Sequence, residues 1–158
     1  MRVVIISGYF NPLHTGHLDY IEAAKKLGDK LIVIVNNDRQ VGLKESVPFM
    51  DEIDRCRIVQ SIGVVSSAVL SVDEDSTVCK SVKAEYDKHC NDPFIYDIIF
   101  ANGGDRKEGG VPEDEVCERL GIKLVYNVGG EKTQSSSGLI GKANLDDIVR
   151  KNQGRGTC

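Results

Sequence analysis

The first strand, loop and helix constrain the fold of this chain most. Residues 3–6 read Val-Val-Ile-Ile, a β-branched apolar run that is typical of a buried strand. Apolar residues then repeat at helical spacing through 18–27, and Gly28 is predicted to end that helix. A second apolar run covers 30–35. The segment therefore predicts a βαβ unit with parallel strands and a right-handed crossover.

The same alternation continues along the rest of the chain. Further strands are predicted within 64–72, 96–101 and 122–128, and each follows a helical pattern. This order predicts an α/β fold, a Rossmann-like doubly wound sheet of five parallel strands with helices on both faces. We expect a single domain over 1–152 and a frayed tail over 153–158.

Local signals set the expected ends of the later helices. Asp51 and Ser76 are good N-caps, and Gly121 is predicted to end the helix that starts near Pro112. Residues 41–50 read as a loop. The acidic run 73–75 could hold a metal, but three consecutive acids rarely point the same way, so a solvated turn is favoured.

Composition excludes several function classes. The formal net charge of −4 argues against nonspecific binding to nucleic acid or to a membrane surface. No apolar run reaches the roughly 18 residues that a transmembrane helix needs. The five cysteines are odd in number and include no Cys-x-x-Cys pair, which is typical of reduced proteins. We expect a cytoplasmic protein without a nucleic-acid or membrane partner.

The loop after the first strand carries the strongest chemical signal. His14 and His17 are three residues apart at the start of a helix, so they share roughly one face. Imidazoles donate to phosphate oxygens, and a helix N-terminus favours anions. Gly16 between them lets a nucleotide approach the backbone closely. The residues alone therefore predict a nucleotide-phosphate site, although helix-start histidines without a ligand remain an alternative.

Other polar clusters follow later strands. Asn102-Gly-Gly-Asp-Arg106 follows the fourth strand, and a Gln-Ser-Ser-Ser run at 134–137 precedes the last helical segment. Basic residues that suit phosphate oxygens lie between the second and third strands: Lys44, Arg55 and Arg57. Asp38 is predicted at the carboxyl edge of the sheet, as a ligand-side residue or as a turn or helix cap. The P-loop and Gly-x-Gly-x-x-Gly fingerprints are absent, which disfavours a P-loop kinase or a dehydrogenase.

Residues 8–17, Gly-Tyr-Phe-Asn-Pro-Leu-His-Thr-Gly-His, resemble the signature of the His-x-Gly-His nucleotidylyltransferase superfamily. That superfamily contains glycerol-3-phosphate cytidylyltransferase, phosphopantetheine adenylyltransferase and the adenylyltransferase domain of ADP-heptose synthase. Its members usually carry Phe-Asp where this chain has Phe10-Asn11. Residues 24–38, 102–105 and 134–137 are also similar, in the same order. The arginine that glycerol-3-phosphate cytidylyltransferase carries before its serine-threonine run is missing here near Gly130, as it is in the heptose enzyme.

The clusters and the resemblance together assign roles to residues. The predicted catalytic residues are His14, His17 and Lys44. The predicted nucleotide-binding residues are Gly8, Tyr9, Phe10, Asn11, Gly16, Gly103, Gly104, Asp105, Gln134, Ser135, Ser136 and Ser137. The predicted substrate-binding residues are Asp38, Arg55 and Arg106. No protein metal ligand is expected, and Mg²⁺ is expected to bridge the nucleotide phosphates. The resemblance also implies a homodimer.

The predicted reaction is transfer of a nucleoside monophosphate from ATP or CTP to the phosphate of a small phosphorylated sugar or polyol, with release of pyrophosphate. Activity on heptose 1-phosphate with ATP is favoured. The alternatives are activity on glycerol 3-phosphate with CTP, and a nucleotide-binding module without catalysis. A purely structural oligomerisation domain would leave the clustered loops unexplained.

Overall fold

Five parallel strands form one sheet in the computed structural model, which describes residues 1–104, 106, 109–130, 138–139 and 141–142. The sheet order is β3-β2-β1-β4-β5, and every neighbouring pair is parallel. The strands are β1 Arg2–Gly8, β2 Lys30–Val35, β3 Ser67–Leu70, β4 Asp97–Gly103 and β5 Lys123–Val128. The predicted doubly wound α/β fold is confirmed.

Helices cover both faces of this sheet because alternate residues of the central strand point to opposite sides. The five helices of the described residues are α1 Thr15–Lys25, α2 Asp38–Leu43, α3 Glu52–Gln60, α4 Cys79–His89 and α5 Glu113–Leu120. Val4 and Ile6 of β1 belong to the core cluster that includes residues of α1 and α3. Val3 and Ile5 belong to the cluster that includes residues of α4 and α5. All four β1 side chains are completely buried.

Helix α2 lies partly in the segment that was predicted as a loop, so that prediction is wrong for residues 41–43. Asn37 caps the helix: its side chain accepts a hydrogen bond from the Gln40 backbone N–H at 2.9 Å. Gln40 Oε1 accepts in turn from the Asn37 backbone N–H at 3.1 Å. This reciprocal capping box begins the helix directly after β2.

The start of α4 also differs from the prediction. The helix begins at Cys79 with Val78 as its N-cap, so Ser76 is not the cap. Asp73 supplies the missing acceptor, since its carboxylate takes hydrogen bonds from the backbone N–H groups of Lys80 and Ser81 at 2.8 and 2.9 Å. Asp73 is 2% exposed. The predicted solvated turn is therefore wrong at Asp73, which caps the helix from inside the protein.

Two glycines that were predicted to end helices behave differently. Gly121 follows α5 with φ of 71° and ends it as predicted. Helix α1 ends at Lys25 with a right-handed residue, Lys26, as its C-cap. A Cβ on Gly28 would lie 2.7 Å from the Val4 side chain and 2.9 Å from the Arg2 carbonyl oxygen. Gly28 therefore permits a close crossing over β1 and does not end the helix.

None of the helices in the described part of the chain has both the length and the apolar character to cross a bilayer. The single domain over 1–152 and the tail over 153–158 remain predictions, because residues 143–158 lie outside the described residues.

Candidate active site

The histidine loop lies where the strand order of the sheet reverses. β1 pairs with β2 on one side and with β4 on the other. The loops that follow β1 and β4 therefore leave the carboxyl edge of the sheet side by side and open a crevice between them. In open parallel sheets this crevice is the usual ligand site. Helix α1, which begins at Thr15, presents its N-terminus there.

His14 and His17 lie together at this N-terminus. Their rings are stacked, with centroids 3.8 Å apart and an interplanar angle of 24°. The backbone N–H of His14 donates to Nδ1 of His17 at 3.3 Å. Because that nitrogen is the acceptor, neutral His17 carries its hydrogen on Nε2. Nε2 is therefore the nitrogen through which His17 can donate to a phosphate oxygen.

Burial lowers the pKa of His14 below the ordinary value for histidine. His14 is therefore predominantly neutral at pH 7 in the free protein. A phosphate placed beside the ring supplies the opposite charge that favours protonation. His14 thus starts as a neutral imidazole, and a bound polyanion favours its positively charged form.

The Phe10 ring packs against the His17 ring. Phe10 is 1% exposed, and its ring meets the His17 ring edge to face, with centroids 5.0 Å apart. A Cβ on Gly8 would lie 2.8 Å from the Phe10 ring. Phe10 also adopts φ of 50°, which non-glycine residues rarely do. The predicted nucleotide contact does not fit the buried Phe10 side chain, and Gly8 and Phe10 position His17 instead.

The second segment that reaches the crevice carries Lys44. This residue is the C-cap of α2, and its Nζ lies 4.1 Å from the centroid of the Tyr9 ring. Tyr9 directly follows β1, so the structure brings Lys44 to the histidine loop. Burial raises the pKa of the Tyr9 hydroxyl, while the charge of Arg106 lowers it and that of Glu113 raises it. Arg106 and Glu113 therefore act on the same part of the crevice.

Asn11 is 5% exposed, and its amide is engaged by the protein. Nδ2 donates to the Val47 carbonyl at 3.0 Å, and Oδ1 accepts from the Phe49 backbone N–H at 2.7 Å. The predicted direct contact between Asn11 and a nucleotide therefore does not match its hydrogen bonds. Asn11 joins the histidine loop to the segment that follows Lys44.

Arg55 occupies a different place from the one predicted. Its side chain is 0% exposed and hydrogen-bonded within the protein, so the predicted substrate contact does not match its position. Nη1 donates to the carbonyls of Tyr9 and Asn36, both at 2.7 Å, and Nε donates to the Met50 carbonyl at 3.1 Å. Nη2 donates to Asp38 Oδ1 at 2.7 Å. The guanidinium ties the ends of β1 and β2 to the start of α3.

Asp38 joins this network at the carboxyl edge of β2. Besides its pair with Arg55, Asp38 accepts from the Glu52 backbone N–H at 3.2 Å. Glu52 Oε2 accepts in return from the Asp38 backbone N–H at 2.8 Å. Asp38 is not an N-cap, since Asn37 caps α2 and Asp51 caps α3, but its carboxylate accepts the backbone N–H of the first residue of α3. A substrate contact for Asp38 stays a prediction.

The loop after β4 forms the other wall of the crevice. Gly103 has no room for a side chain, since its Cβ would lie 2.8 Å from the Tyr20 ring. The Tyr20 hydroxyl donates to the Ala101 carbonyl at 2.7 Å, and this bond joins α1 to the end of β4. Gly104 follows with φ of 67°, a conformation that favours glycine. Arg106 is exposed beside this turn.

Asn102, which the sequence placed in a polar cluster but without a predicted role, is a further site candidate. Asn102 is 1% exposed, and its Nδ2 has no hydrogen-bond partner within the described part of the chain. Its Oδ1 lies 3.5 Å from Nη1 of Arg106. A buried donor without a partner is uncommon in folded proteins, and a water, an ion or a ligand can satisfy it. The signal was a polar residue directly at the carboxyl end of a buried strand.

Several predicted residues remain untested. Gly16 lies in the first turn of α1, as expected. Among the described residues, no group of three or more His, Cys, Asp or Glu side chains is placed to hold a metal ion. The predicted residues that lie outside the described residues are Asp105, Gln134, Ser135, Ser136 and Ser137.

A family model described as cytidylyltransferase-like matches residues 5–152, and the chain belongs to this family. The enzyme class predicted from the histidine motif, nucleotidylyltransferase, is thereby confirmed.

Among its relatives, a FAD synthase of Ferroglobus placidus is 32% identical over 124 residues, which are 75% of this chain and 81% of that enzyme. The bifunctional protein HldE of Koribacter versatilis is 31% identical over 136 residues, 84% of this chain but only 26% of HldE. A solved structure, the lipopolysaccharide core biosynthesis protein of Thermoplasma volcanium, is 27% identical with a TM-score of 0.61 and covers 80% of this chain and 96% of its own. The sequence analysis did not anticipate FAD synthase.

Replacing Gly8 by Ala is expected to displace the Phe10 ring and with it His17. A small misplacement of a reacting group costs about 10- to 100-fold in turnover. Pyrophosphate release measures the effect, and Gly63→Ala is the control because a Cβ there meets nothing within 4 Å. Equal turnover of folded Gly8→Ala and wild type would contradict this role of Gly8.

Replacing Arg55 by Met is expected to lower the free energy of unfolding by about 3 kcal/mol, because buried carbonyls lose their donors and Asp38 loses its countercharge. Denaturant unfolding measures the change. Arg57, exposed on the same helix, is the matched control, and Arg57→Met should stay within about 0.5 kcal/mol of wild type. If both variants unfold like wild type, Arg55 does not hold the crevice together.

Proposed function

We propose that the protein transfers adenylate from ATP to the phosphate of a small phosphorylated acceptor and releases pyrophosphate. The observation that carries this proposal is the stacked His14–His17 pair at the N-terminus of α1, with Lys44 beside the same loop. Imidazoles, helix amides and an ammonium group all stabilise phosphoryl charge. The described site needs no nucleophilic side chain, because the acceptor phosphate is itself the nucleophile.

The reaction proceeds by displacement at the α-phosphorus. An oxygen of the acceptor phosphate forms the new P–O bond as the bond from the α-phosphorus to the β-bridging oxygen breaks. The electron pair leaves with pyrophosphate. His14 and His17 donate to the α-phosphoryl oxygens and the leaving oxygen, where negative charge develops. Such charge stabilisation and positioning supply most of the catalysis in phosphoryl transfer.

Lys44 exchanges one partner for another in this mechanism. In the free protein its ammonium group lies over the Tyr9 ring. A cation–π contact at an exposed site contributes about 0.5–1 kcal/mol. A charge-assisted bond to a triphosphate oxygen is stronger, so Lys44 is expected to leave Tyr9 and close over the bound nucleotide.

Mg²⁺ is proposed to enter with the nucleotide. The ion would be held by phosphate oxygens of the nucleotide and by water, would neutralise phosphate charge, and would not require a protein cage. The run 134–137 is proposed to bind the same phosphates, and Gly104 with Asp105 to contact base or ribose. These assignments rest on the resemblance to the family.

Two acceptors are supported. Heptose 1-phosphate is favoured by the resemblance to the heptose adenylyltransferase and by the similarity to HldE. Flavin mononucleotide is the second candidate, because the chain covers 81% of a FAD synthase at 32% identity. Both products contain adenylate, which favours ATP over CTP. A homodimer and a cytoplasmic location stay predictions.

A screen of pyrophosphate release tests the proposal. The four nucleoside triphosphates are combined with heptose 1-phosphate, flavin mononucleotide and glycerol 3-phosphate. The expected result is release with ATP and one of the first two acceptors. Release with CTP and glycerol 3-phosphate would favour the cytidylyltransferase alternative. Nucleotide binding without release across a broad acceptor panel would indicate a non-catalytic module.

Removing either imidazole is expected to lower turnover by about 10²–10³, the effect of deleting one donor to a developing charge. His14→Ala and His17→Ala are compared with His89→Ala, whose ring lies at the end of α4 near Glu85. Steady-state pyrophosphate release measures the change. Near-normal turnover of the folded double variant His14→Ala, His17→Ala would contradict the mechanism.

A further inference from the structure

The contacts of Asn11 connect two parts of the candidate site that approach it from different elements. Asn11 belongs to the loop after β1, three residues before His14. Both of its hydrogen bonds go to the backbone of the 44–51 segment, at Val47 and Phe49. That segment begins with Lys44 at the end of α2 and leads to α3. One buried amide thus bridges the histidine loop and the lysine segment.

Two large apolar side chains in the middle of the lysine segment face solvent. The side chains of Val47 and Phe49 are 76% and 60% exposed, so apolar packing contributes little there. Its two ends are held separately. Ser46 donates from its backbone N–H to the Val41 carbonyl at 3.3 Å, and the Met50 carbonyl accepts from Arg55. The Asn11 amide adds a side-chain link to the residues between these anchors.

The two bonds require an amide at position 11. Val47 offers a carbonyl, which only accepts, and Phe49 offers an N–H, which only donates. An asparagine amide matches both groups at once, whereas an ionised carboxylate has no donor and would place negative charge against the Val47 carbonyl. The family's usual aspartate, in its charged form, cannot make this pair of bonds.

We propose that Asn11 is a positioning residue that preorganises Lys44 for the nucleotide, an inference that rests on the proposed function. By fixing the middle of the lysine segment against the histidine loop, Asn11 keeps the Lys44 ammonium at the crevice, where it lies over Tyr9. Without these two bonds the 47–49 backbone can move against the histidine loop, so the distance between that loop and the Lys44 side chain is no longer fixed. Apparent nucleotide affinity falls with the fraction of binding-competent protein.

The test uses Asn11→Ala and Asn11→Asp in the full chain, with Mg-ATP as the probe and calorimetric binding as the readout. Both variants are expected to bind ATP about 10-fold more weakly at pH 8, the consequence of leaving a buried polar pair unsatisfied. In turnover, KM for ATP should rise more than kcat falls. Hydrogen exchange at the Phe49 amide should be faster in both variants, while the β1 and β2 amides stay protected.

Asn11→Asp adds a pH signature that a general loss of stability would not give. Burial and the Val47 carbonyl raise the pKa of the introduced carboxyl group. Its protonated form regains a donor, so the defect is present above that pKa and is relieved as the pH falls through it. The ratio of wild-type to Asn11→Asp affinity for ATP should therefore shrink toward one between about pH 8 and pH 5.5, whereas that of Asn11→Ala should not.

Two controls separate this role from simpler effects. Phe49→Ala removes an exposed side chain but keeps the backbone N–H, so its ATP affinity should match wild type. Asn91→Asp adds the same charge at an exposed position and should also bind normally.

Unchanged ATP affinity in folded Asn11→Ala, or unchanged exchange at Phe49, would overturn the inference and leave the proposed function standing. If wild type itself binds no nucleotide, the proposed function and the inference both fail.

Discussion

The geometry of the site depends on the buried guanidinium of Arg55. Strands β1 and β2 end at the carboxyl edge of the sheet, and their next carbonyls, at Tyr9 and Asn36, point away from the ladder. A buried carbonyl without a donor is unfavourable by about 1–3 kcal/mol, so these ends need a partner. Arg55 satisfies both through one nitrogen and binds Asp38 through another. The planar guanidinium of arginine presents several N–H donors in fixed directions, and the single ammonium group of lysine could not make all of these bonds.

Beyond Arg55, contacts within the histidine loop and between this loop and its neighbours hold the active-site loops in place. Phe10 fixes the His17 ring, and Gly8 leaves the space that Phe10 needs. Asn11 then connects the histidine loop to the segment of Lys44. The groups proposed to bind phosphate are thus supported by side chains that are engaged within the protein. Since the protein carries a net charge of −4, attraction of a nucleotide depends on this local arrangement and not on the overall charge.

The stacked imidazoles suit a site that changes charge with its ligand. Burial keeps His14 neutral in the free protein, which limits repulsion between two rings only 3.8 Å apart. A triphosphate favours the protonated form and strengthens each hydrogen bond to it. The His14 ring is therefore a weaker hydrogen-bond donor before binding and a stronger one when a triphosphate is bound.

The sequence predicted the parts of the protein that depend on local pattern. Apolar runs gave the parallel sheet, and the His-x-Gly-His spacing placed both rings at the start of α1. The sequence did not predict which polar side chains are buried, because their hydrogen-bond partners lie in other segments of the chain. Arg55 and Asp73 look like surface charges in the sequence, yet their partners lie in other segments, at Tyr9 and at Ser81 among others. Periodicity carries no signal for such pairs.

Gly28 shows a related limit of local reasoning. A glycine after a helix favours a helix end, but a glycine is required at position 28 because β1 passes directly beneath it and leaves no room for a side chain.

Helix α2 was detectable from the sequence, since Asn37 and Gln40 have the spacing of a capping box.

The central claim is that the two imidazoles at the start of α1 contact the nucleotide, and histidine-selective NMR tests it most directly. The chain has three histidines, and His89 lies on α4, away from the crevice. Titration with Mg-ATP should shift the ring resonances of His14 and His17, while the ring resonances of His89 do not move. The pKa of His14 should rise when the nucleotide binds. Saturable ATP binding that leaves both His14 and His17 unshifted would contradict the account.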